Sequence, residues 1–262
     1  MANIATESGH WYAQDGSAMH TVIAKGNGLE RPTTLGDARK LGLVPSVTNI
    51  LNLQAKPFLS KWLQDQIFDA CVLLPIMPNE EVSDYKKRVY EEAERYSNER
   101  REEGTAIHSA IDRGFLYQED NIYYNSVKAI VEELYPNRLW MPEVPFAHKL
   151  GFGGKADLSS NQNADGSEAY PLVIDYKSKE FADDAKAKKF IYDDHGLQLS
   201  AYGLGLFECV SPIRLNIFVR PTDGKCLPYL HDENNDLDKF IAILDLWKLM
   251  KGYDSSFINE GE

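Results

Sequence analysis

The sequence predicts an α/β (α+β) protein in which helices flank a central mixed β-sheet, with a largely helical N-terminal region in front of it. The prediction rests first on three strand patterns that follow one another closely after residue 141. Helical patterns stand on both sides of these strands, an order typical of this class. Finally, 43% of the 262 residues are hydrophobic, which is enough for a packed core.

The N-terminal half is expected to change from loops to helices near residue 52. Before that point Gly, Pro and Thr are frequent, which predicts loops with short strands. Apolar residues at helical spacing predict a helix over about 57–74, and alternating charges predict a second over about 81–101. Gly104 is expected to interrupt this second helix before it continues, and a further helix is predicted over about 121–134.

The C-terminal half is expected to supply the sheet. Three strands form a meander, and a polar stretch with an Asp-Gly pair predicts the hairpin loop between the second and third. The predicted strands are 143–150, 151–160, 171–178, 214–221 and a run around 226–231. A helical segment is predicted over about 183–207, interrupted near His195, and an amphipathic helix over about 236–250.

Composition argues against several classes of protein. No run of 18 apolar residues occurs, so no membrane partner is expected, and the N-terminus lacks the features of a signal peptide. The cysteines, Cys71, Cys209 and Cys226, are too few and too scattered for an iron–sulfur cluster, and they fit the reducing cytoplasm. The net charge of −12 argues against a passive nucleic-acid coat protein. It does not argue against an enzyme in which basic residues and a metal converge locally.

The main chemical signal lies at the ends of two predicted strands. Asp175 and Lys177 close an apolar strand, and side-chain alternation places them on one face. Asp157 comes at the end of the preceding strand, so a hairpin can bring the two carboxylates together, where a cation would relieve their repulsion. Oxygen ligands of this kind suit Mg²⁺ or Mn²⁺. Taken alone, the Asp-x-Lys pattern is more often an exposed ion pair.

Further polar residues have a plain interpretation as well as a functional one. His108 lies in a predicted helix, where a single histidine is more often a surface or packing residue than a ligand. Gln198 and Tyr202 are four residues apart and therefore share a helix face. Lys186 could contact DNA phosphates, although a solvated lysine is at least as common.

Four short motifs along the chain occur in the order of a known family. They are GTAIH (104–108), GGKAD (153–157), VIDYK (173–177) and QLSAY (198–202). Over about 99–220 the chain resembles the RecB-type branch of the PD-(D/E)XK nuclease superfamily. Residues 45–51, PSVTNIL, and the helix carrying Trp62 resemble more weakly the N-terminal part of phage and mitochondrial genome-maintenance exonucleases. Ala156 replaces the proline of the superfamily's name, as it often does in this branch.

The resemblance implies a restriction-endonuclease-like core with one or two Mg²⁺ or Mn²⁺ ions and no iron–sulfur cluster. It implies metal ligation by His108, Asp157, Asp175 and the main-chain carbonyl of Tyr176. It implies catalysis by Lys177 with the two carboxylates, supported by Gln198 and Tyr202. Supporting or DNA-binding positions are expected at Glu143, Ser46, Thr48, Lys155, Lys179 and Lys186.

The implied function is hydrolysis of DNA phosphodiester bonds from single- or double-stranded ends, in recombination, repair or phage DNA processing. A recombination partner protein is compatible with this function. Residues 1–98 are expected to pack on the core and contribute to DNA binding, and residues 99–262 are expected to form the nuclease core. Two alternatives stay open: a structure-selective endonuclease with the same site, and an inactive nuclease fold that serves as a DNA-binding or assembly module.

Overall fold

A computed structural model describes residues 9–24, 26 and 28–257. The chain divides into two compact units, which we call the sheet unit (Met1–Leu53 and Ala110–Glu262) and the helical unit (Gln54–Ser109). The boundary expected at residue 98 falls inside a continuous helix. The described residues of the N-terminal segment group with the C-terminal part of the chain because, between Trp11 and Leu53, they pair with and pack against its strands and helices.

The N-terminal part of the sheet unit is built from short elements. They are β1 (Trp11–Tyr12), β2 (Thr21–Ile23), β3 (Glu30–Pro32), α1 (Leu35–Leu41), β4 (Val44–Pro45) and α2 (Val47–Leu51). The expected short strands are present, but the two helices were not predicted. Thr34 and Asp37 form a reciprocal capping box at the start of α1, and Gly42 ends it in the left-handed conformation at φ 65°. Ser46 caps α2 by accepting a hydrogen bond from the main chain of Asn49.

The helical unit contains α3 (Pro57–Leu73) and most of α4 (Val82–Tyr117). α3 agrees with the prediction, and Pro57 occupies its first turn. α4 runs for 36 residues through Gly104, so the expected interruption there is wrong. A helical glycine costs only about 1 kcal/mol relative to alanine, which a long helix can tolerate. Among the described residues, no helix is both long enough and apolar enough to cross a membrane.

The centre of the sheet unit is a five-stranded mixed sheet that follows α5 (Ile122–Leu134). Its strands, in spatial and chain order, are β5 (Arg138–His148), β6 (Phe152–Asn163), β7 (Glu168–Ser178), β8 (Ile213–Val219) and β9 (Cys226–Leu230). β7 and β8 are parallel, and the other neighbours are antiparallel. The prediction of a mixed sheet flanked by helices is therefore confirmed.

The connection from β7 to β8 carries a helix that packs on the sheet. A 3₁₀ helix, Ala187–Phe190, precedes α6 (Asp193–Phe207), and α7 (Asp236–Lys251) follows β9. The segment expected to be helical over 183–207 is interrupted at 191–192, a few residues before His195, which lies in the first turn of α6. α6 packs closely on the sheet: a Cβ atom added at Gly205 would lie 2.0 Å from the Phe146 ring. This close approach fixes the distance between α6 and β5.

Candidate active site

β6 and β7 separate at the two aspartates that the sequence singles out. Their antiparallel pairing reaches Leu158 opposite Ile174, and the next step of this register places Asp157 opposite Asp175. Beyond this step, β6 pairs with β5 while β7 continues beside β8. We call this opening the β6–β7 fork and define it by Asp157, Asp175 and Lys177.

The N-terminal segment lies beside the part of β6 that β7 has left. Ser46 forms a parallel bridge to Gly153, and a Cβ atom at Gly153 would lie 3.0 Å from the side chains of Tyr12 and Val44. Glycine at this position therefore permits the close approach of the segment. The resulting fork is bordered by β7 on one side and by the start of α2 on the other.

Asp157 is held at the fork by the main chain of the opposite strand. Its Oδ2 accepts a hydrogen bond from the Tyr176 N–H at 2.7 Å. This bond takes the place of a strand-to-strand bond at the point where the ladder ends. Because the donor is a rigid main-chain group, the carboxylate has a defined position opposite Asp175.

Asp175 is 4% exposed and accepts hydrogen bonds from several side chains. Its Oδ1 accepts from Gln198 Nε2 at 3.0 Å and from Lys177 Nζ at 2.9 Å. Its Oδ2 accepts from Asn216 Nδ2 at 2.7 Å. A carboxylate has about four lone-pair positions, and these donors orient the group. An ionised carboxylate buried to this degree requires such compensation.

Lys177 is bound on one face of β7 between Asp175 and α6. Its Nζ donates to Gln198 Oε1 at 3.4 Å as well as to Asp175, and its side chain is 31% exposed. Burial alone would lower the pKa of Lys177. The surrounding carboxylates, chiefly Asp175, outweigh that effect and raise its pKa. The lysine of the metal-free protein is therefore a protonated hydrogen-bond donor rather than a base.

α6 supplies a hydrogen-bonded pair on the same side of the sheet. Gln198 Nε2 donates to the Tyr202 phenol oxygen at 2.9 Å in addition to Asp175. Burial, together with the charges of Asp175 and Asp157, raises the pKa of Tyr202 well above its usual value. Tyr202 is consequently neutral and orients Gln198.

Tyr176 takes part in the fork through its main-chain N–H, which binds Asp157, and metal ligation by its carbonyl stays a prediction. Its ring points to the opposite face of β7 and is 1% exposed. Burial, followed by the charges of Asp157 and of Asp112 near the end of α4, raises the pKa of Tyr176 well above its usual value. Only its main-chain groups lie on the strand edge between the two carboxylates.

The donor set of the fork suits a hard divalent cation. Two carboxylates, Asp157 and Asp175, with the Tyr176 carbonyl would hold it. Among the described residues no group of three or more His, Cys, Asp or Glu side chains is arranged to hold a metal. Mg²⁺ is usually bound by one or two carboxylates and keeps several waters, which fits the pair formed by Asp157 and Asp175. His108 lies on α4 in the helical unit, and its part in metal binding stays a prediction.

The supporting residues predicted on β5 and β6 are brought together. Glu143 and Lys155 form an ion pair, and the β5–β6 register places Glu143 opposite Asp157. Glu143 has a left-handed backbone, φ 54°, which is uncommon for a residue other than glycine and is frequent at functional sites. The side chain of Lys155 is 45% exposed, so it remains available to an anionic ligand.

The other supporting residues have different surroundings. Ser46 is buried, where it caps α2 and lies 3.0 Å from the Thr48 hydroxyl, so its hydroxyl already serves the fold. Lys179 and Lys186 are exposed on the segment that follows β7. Contact of either lysine with DNA stays a prediction.

One group near Asp175 was not predicted from the sequence. Asn216 on β8 is fully buried and donates to Asp175, and Arg214 lies two residues earlier on the same strand. A signal was present, since these two polar residues interrupt an otherwise apolar strand at alternate positions. Such a pattern marks polar side chains that share one buried face.

No protein-family model matches this chain, and no curated protein matches it. Among solved structures, the chain is similar to one described as the crystal structure of SSO0001. The sequence identity is 14% and the TM-score is 0.31, over 78% of this chain and 91% of that chain. Neither a fold family nor an activity can be transferred at this level of similarity.

Proposed function

We propose that this protein is a Mg²⁺- or Mn²⁺-dependent deoxyribonuclease with a PD-(D/E)XK-type core, and that it degrades DNA from its ends. The observation that carries the proposal is the β6–β7 fork. There Asp157 and Asp175 are opposite in register, and Lys177 is bound by Asp175 and Gln198.

The paired carboxylates support the metal dependence. Two ionised carboxylates on opposite residues repel each other, and a cation between them removes that cost. Hydrogen bonds from Tyr176 and Asn216 fix one oxygen of each carboxylate in advance. A divalent cation bound here would supply Lewis-acid activation of a phosphodiester.

Lys177 supports hydrolysis rather than binding alone. Its ammonium group can donate a hydrogen bond to the attacking water or offset charge on the phosphate. Gln198 touches both Lys177 and Asp175, so the distance between lysine and carboxylate depends on α6. A positioned donor of this kind acts where charge develops in the transition state.

Lys155 supports a path for the DNA backbone beside the fork. It lies two residues before Asp157 on β6 and therefore on the same face, at a separation of about 7 Å along the strand. In a chain with net charge −12, cations grouped near the carboxylates can attract phosphate locally. The choice of DNA ends as substrate rests on the resemblance of residues 45–51 to phage and mitochondrial exonucleases.

The direct test is degradation of end-labelled linear DNA, single- and double-stranded, with Mg²⁺, Mn²⁺ or chelator. We expect both metals to support degradation and a covalently closed single-stranded circle to stay intact. Asp157→Asn and Asp175→Asn should remove activity without unfolding the protein, whereas Asp165→Asn, on the exposed β6–β7 turn, should not. Cleavage of the circle would instead identify an endonuclease. Binding of DNA without cleavage under any metal condition would reject the enzymatic proposal.

A further inference from the structure

Asn216 connects the fork to a buried histidine. Its side chain is fully buried on β8, directly beside Asp175 in the parallel register. Asn216 Nδ2 donates to Asp175 Oδ2 at 2.7 Å and to the Asp175 carbonyl at 3.2 Å. Its Oδ1 lies 2.7 Å from Nε2 of His231, just after β9.

The acceptor atoms of Asp175 determine which group donates in each of these hydrogen bonds. Both atoms of Asp175 that face Asn216 are oxygens that can only accept, so the amide nitrogen must point toward them. The amide oxygen then faces His231, whose Nε2 must carry the proton. The order of donation is therefore His231 to Asn216 to Asp175.

His231 is itself held in a rigid setting. Its main-chain N–H donates to the Arg214 carbonyl at 2.9 Å, and burial followed by the charge of Arg214 lowers its pKa to about 4. Arg214 in turn forms a buried ion pair with Asp236 at 2.5 Å and donates to Ser200 on α6 at 2.8 Å. β9, α6 and the start of α7 are thus joined around the neutral imidazole.

We propose that Asn216 and His231 are positioning residues that hold the Asp175 carboxylate in the orientation needed for a divalent cation, an inference that rests on the proposed function. Asp175 has strong donors on both of its oxygens, and Lys177 is the most exposed of them. Lys177 Nζ also lies 2.8 Å from Oδ2, the oxygen that Asn216 binds, so without Asn216 this oxygen would be held only by the more exposed Lys177. The oxygen directed by Asn216 would then no longer be fixed relative to Asp157.

The variants that test this role remove or retain the donors. Asn216→Leu keeps the size of the side chain and removes its three hydrogen bonds, two to Asp175 and one to His231, while His231→Leu removes only the donor to Asn216. His231→Gln retains an amide donor and is the conservative variant. Ser160→Ala is the matched control, because Ser160 is equally buried on β6 and bonds to the Gln162 carbonyl away from the fork.

Calorimetry with Mn²⁺ alone measures the effect independently of cleavage. Loss of a group that orients a metal ligand typically costs 10- to 100-fold in affinity or activity. We expect this loss of Mn²⁺ affinity in Asn216→Leu and His231→Leu, with partial recovery in His231→Gln and no change in Ser160→Ala. For cleavage, kcat should fall while KM for DNA stays constant. In the metal-free protein, ¹⁵N spectra should show His231 protonated at Nε2.

The possible results separate this inference from the proposed function. If the wild type binds Mn²⁺ and cleaves DNA, and folded Asn216→Leu and His231→Leu do so equally well, the positioning role is overturned and the nuclease proposal stands. A His231 protonated at Nδ1 also overturns it. If the wild type neither binds Mn²⁺ nor cleaves DNA, both proposals fail. If Asn216→Leu does not fold, the comparison of the two His231 variants decides.

Discussion

Replacement of Lys177 by methionine tests whether the fork is catalytic or only structural. Methionine keeps most of the buried stem and removes the ammonium group that contacts Asp175 at 2.9 Å and Gln198 at 3.4 Å. Asp175 would retain two neutral donors, Gln198 and Asn216. The variant should therefore fold, with a carboxylate that is still hydrogen-bonded but no longer paired with a cation.

The structure indicates different magnitudes for stability and for catalysis. A hydrogen bond to a charged group contributes about 1.5–3 kcal/mol. Because the Lys177 side chain is 31% exposed, the loss should lie near the lower end, about 1–2 kcal/mol. A positioned proton donor or acceptor contributes roughly 10²- to 10⁴-fold to rate, so cleavage should fall by that factor. Ground-state DNA affinity should change little, since the group acts mainly in the transition state.

Three measurements on one preparation distinguish the effects on catalysis, DNA affinity and stability. They are single-turnover cleavage, fluorescence anisotropy with Ca²⁺ and urea unfolding. Lys128→Met is the control, because it removes a lysine from an exposed i,i+4 ion pair with Glu132 on α5 and should cost at most about 1 kcal/mol. If Lys177→Met cleaves DNA within about threefold of the wild type, far less than a positioned group contributes, the lysine has no catalytic role. The main support for the nuclease proposal would then be lost.

Three further predictions concern other parts of the chain. An imidazole ligand favours Mn²⁺ over Mg²⁺, so the wild-type activity with Mn²⁺ should equal or exceed the activity with Mg²⁺. The His108→Ala variant should show a smaller difference between the two metals. If the ratio of Mn²⁺ to Mg²⁺ activity is unchanged in this variant, His108 is not part of the site. Gly205→Ala places a methyl group 2.0 Å from Phe146 and should lower the free energy of unfolding, measured by urea titration, by about 1–3 kcal/mol. Gly36→Ala is the control, because its nearest contact lies at 3.6 Å, and it should not destabilise the protein in the same titration. The folded pKa of His231, about 4, lies below its usual 6.5, so the unfolded chain binds the proton first. The free energy of unfolding should therefore fall by at most about 3 kcal/mol as the pH drops from 6.5 to about 4. If a His231→Gln variant loses stability equally over this pH range, the prediction is contradicted.

Local patterns in the sequence were sufficient to predict the sheet. The five predicted strands correspond to β5 to β9, because the alternation of apolar and polar residues and the apolar runs directly reflect burial in a sheet. β6 and β7 extend further than predicted, into a polar stretch whose exposed residues resemble a loop. α1 and α2 were missed because helices of seven and five residues are too short for periodicity, and only their caps mark them.

The features of the structure that could not be predicted from the sequence depend on contacts between residues far apart in the chain. Side-chain alternation and the hairpin were enough to predict that Asp157 and Asp175 meet. The bridge from Ser46 to Gly153 joins segments with no shared local pattern, so the division into units could not be anticipated. Asn216 was overlooked for the same reason, since its importance depends on a parallel neighbour 41 residues away in the chain.

The bridge between Ser46 and Gly153 has a consequence for synthesis of the chain. The segment that borders the fork is translated first, but its partner on β6 follows about 100 residues later. At 5–20 residues per second, the two sides are separated by roughly 5–20 s of translation. A nascent chain can complete this edge of the fork only after β6 has left the ribosome.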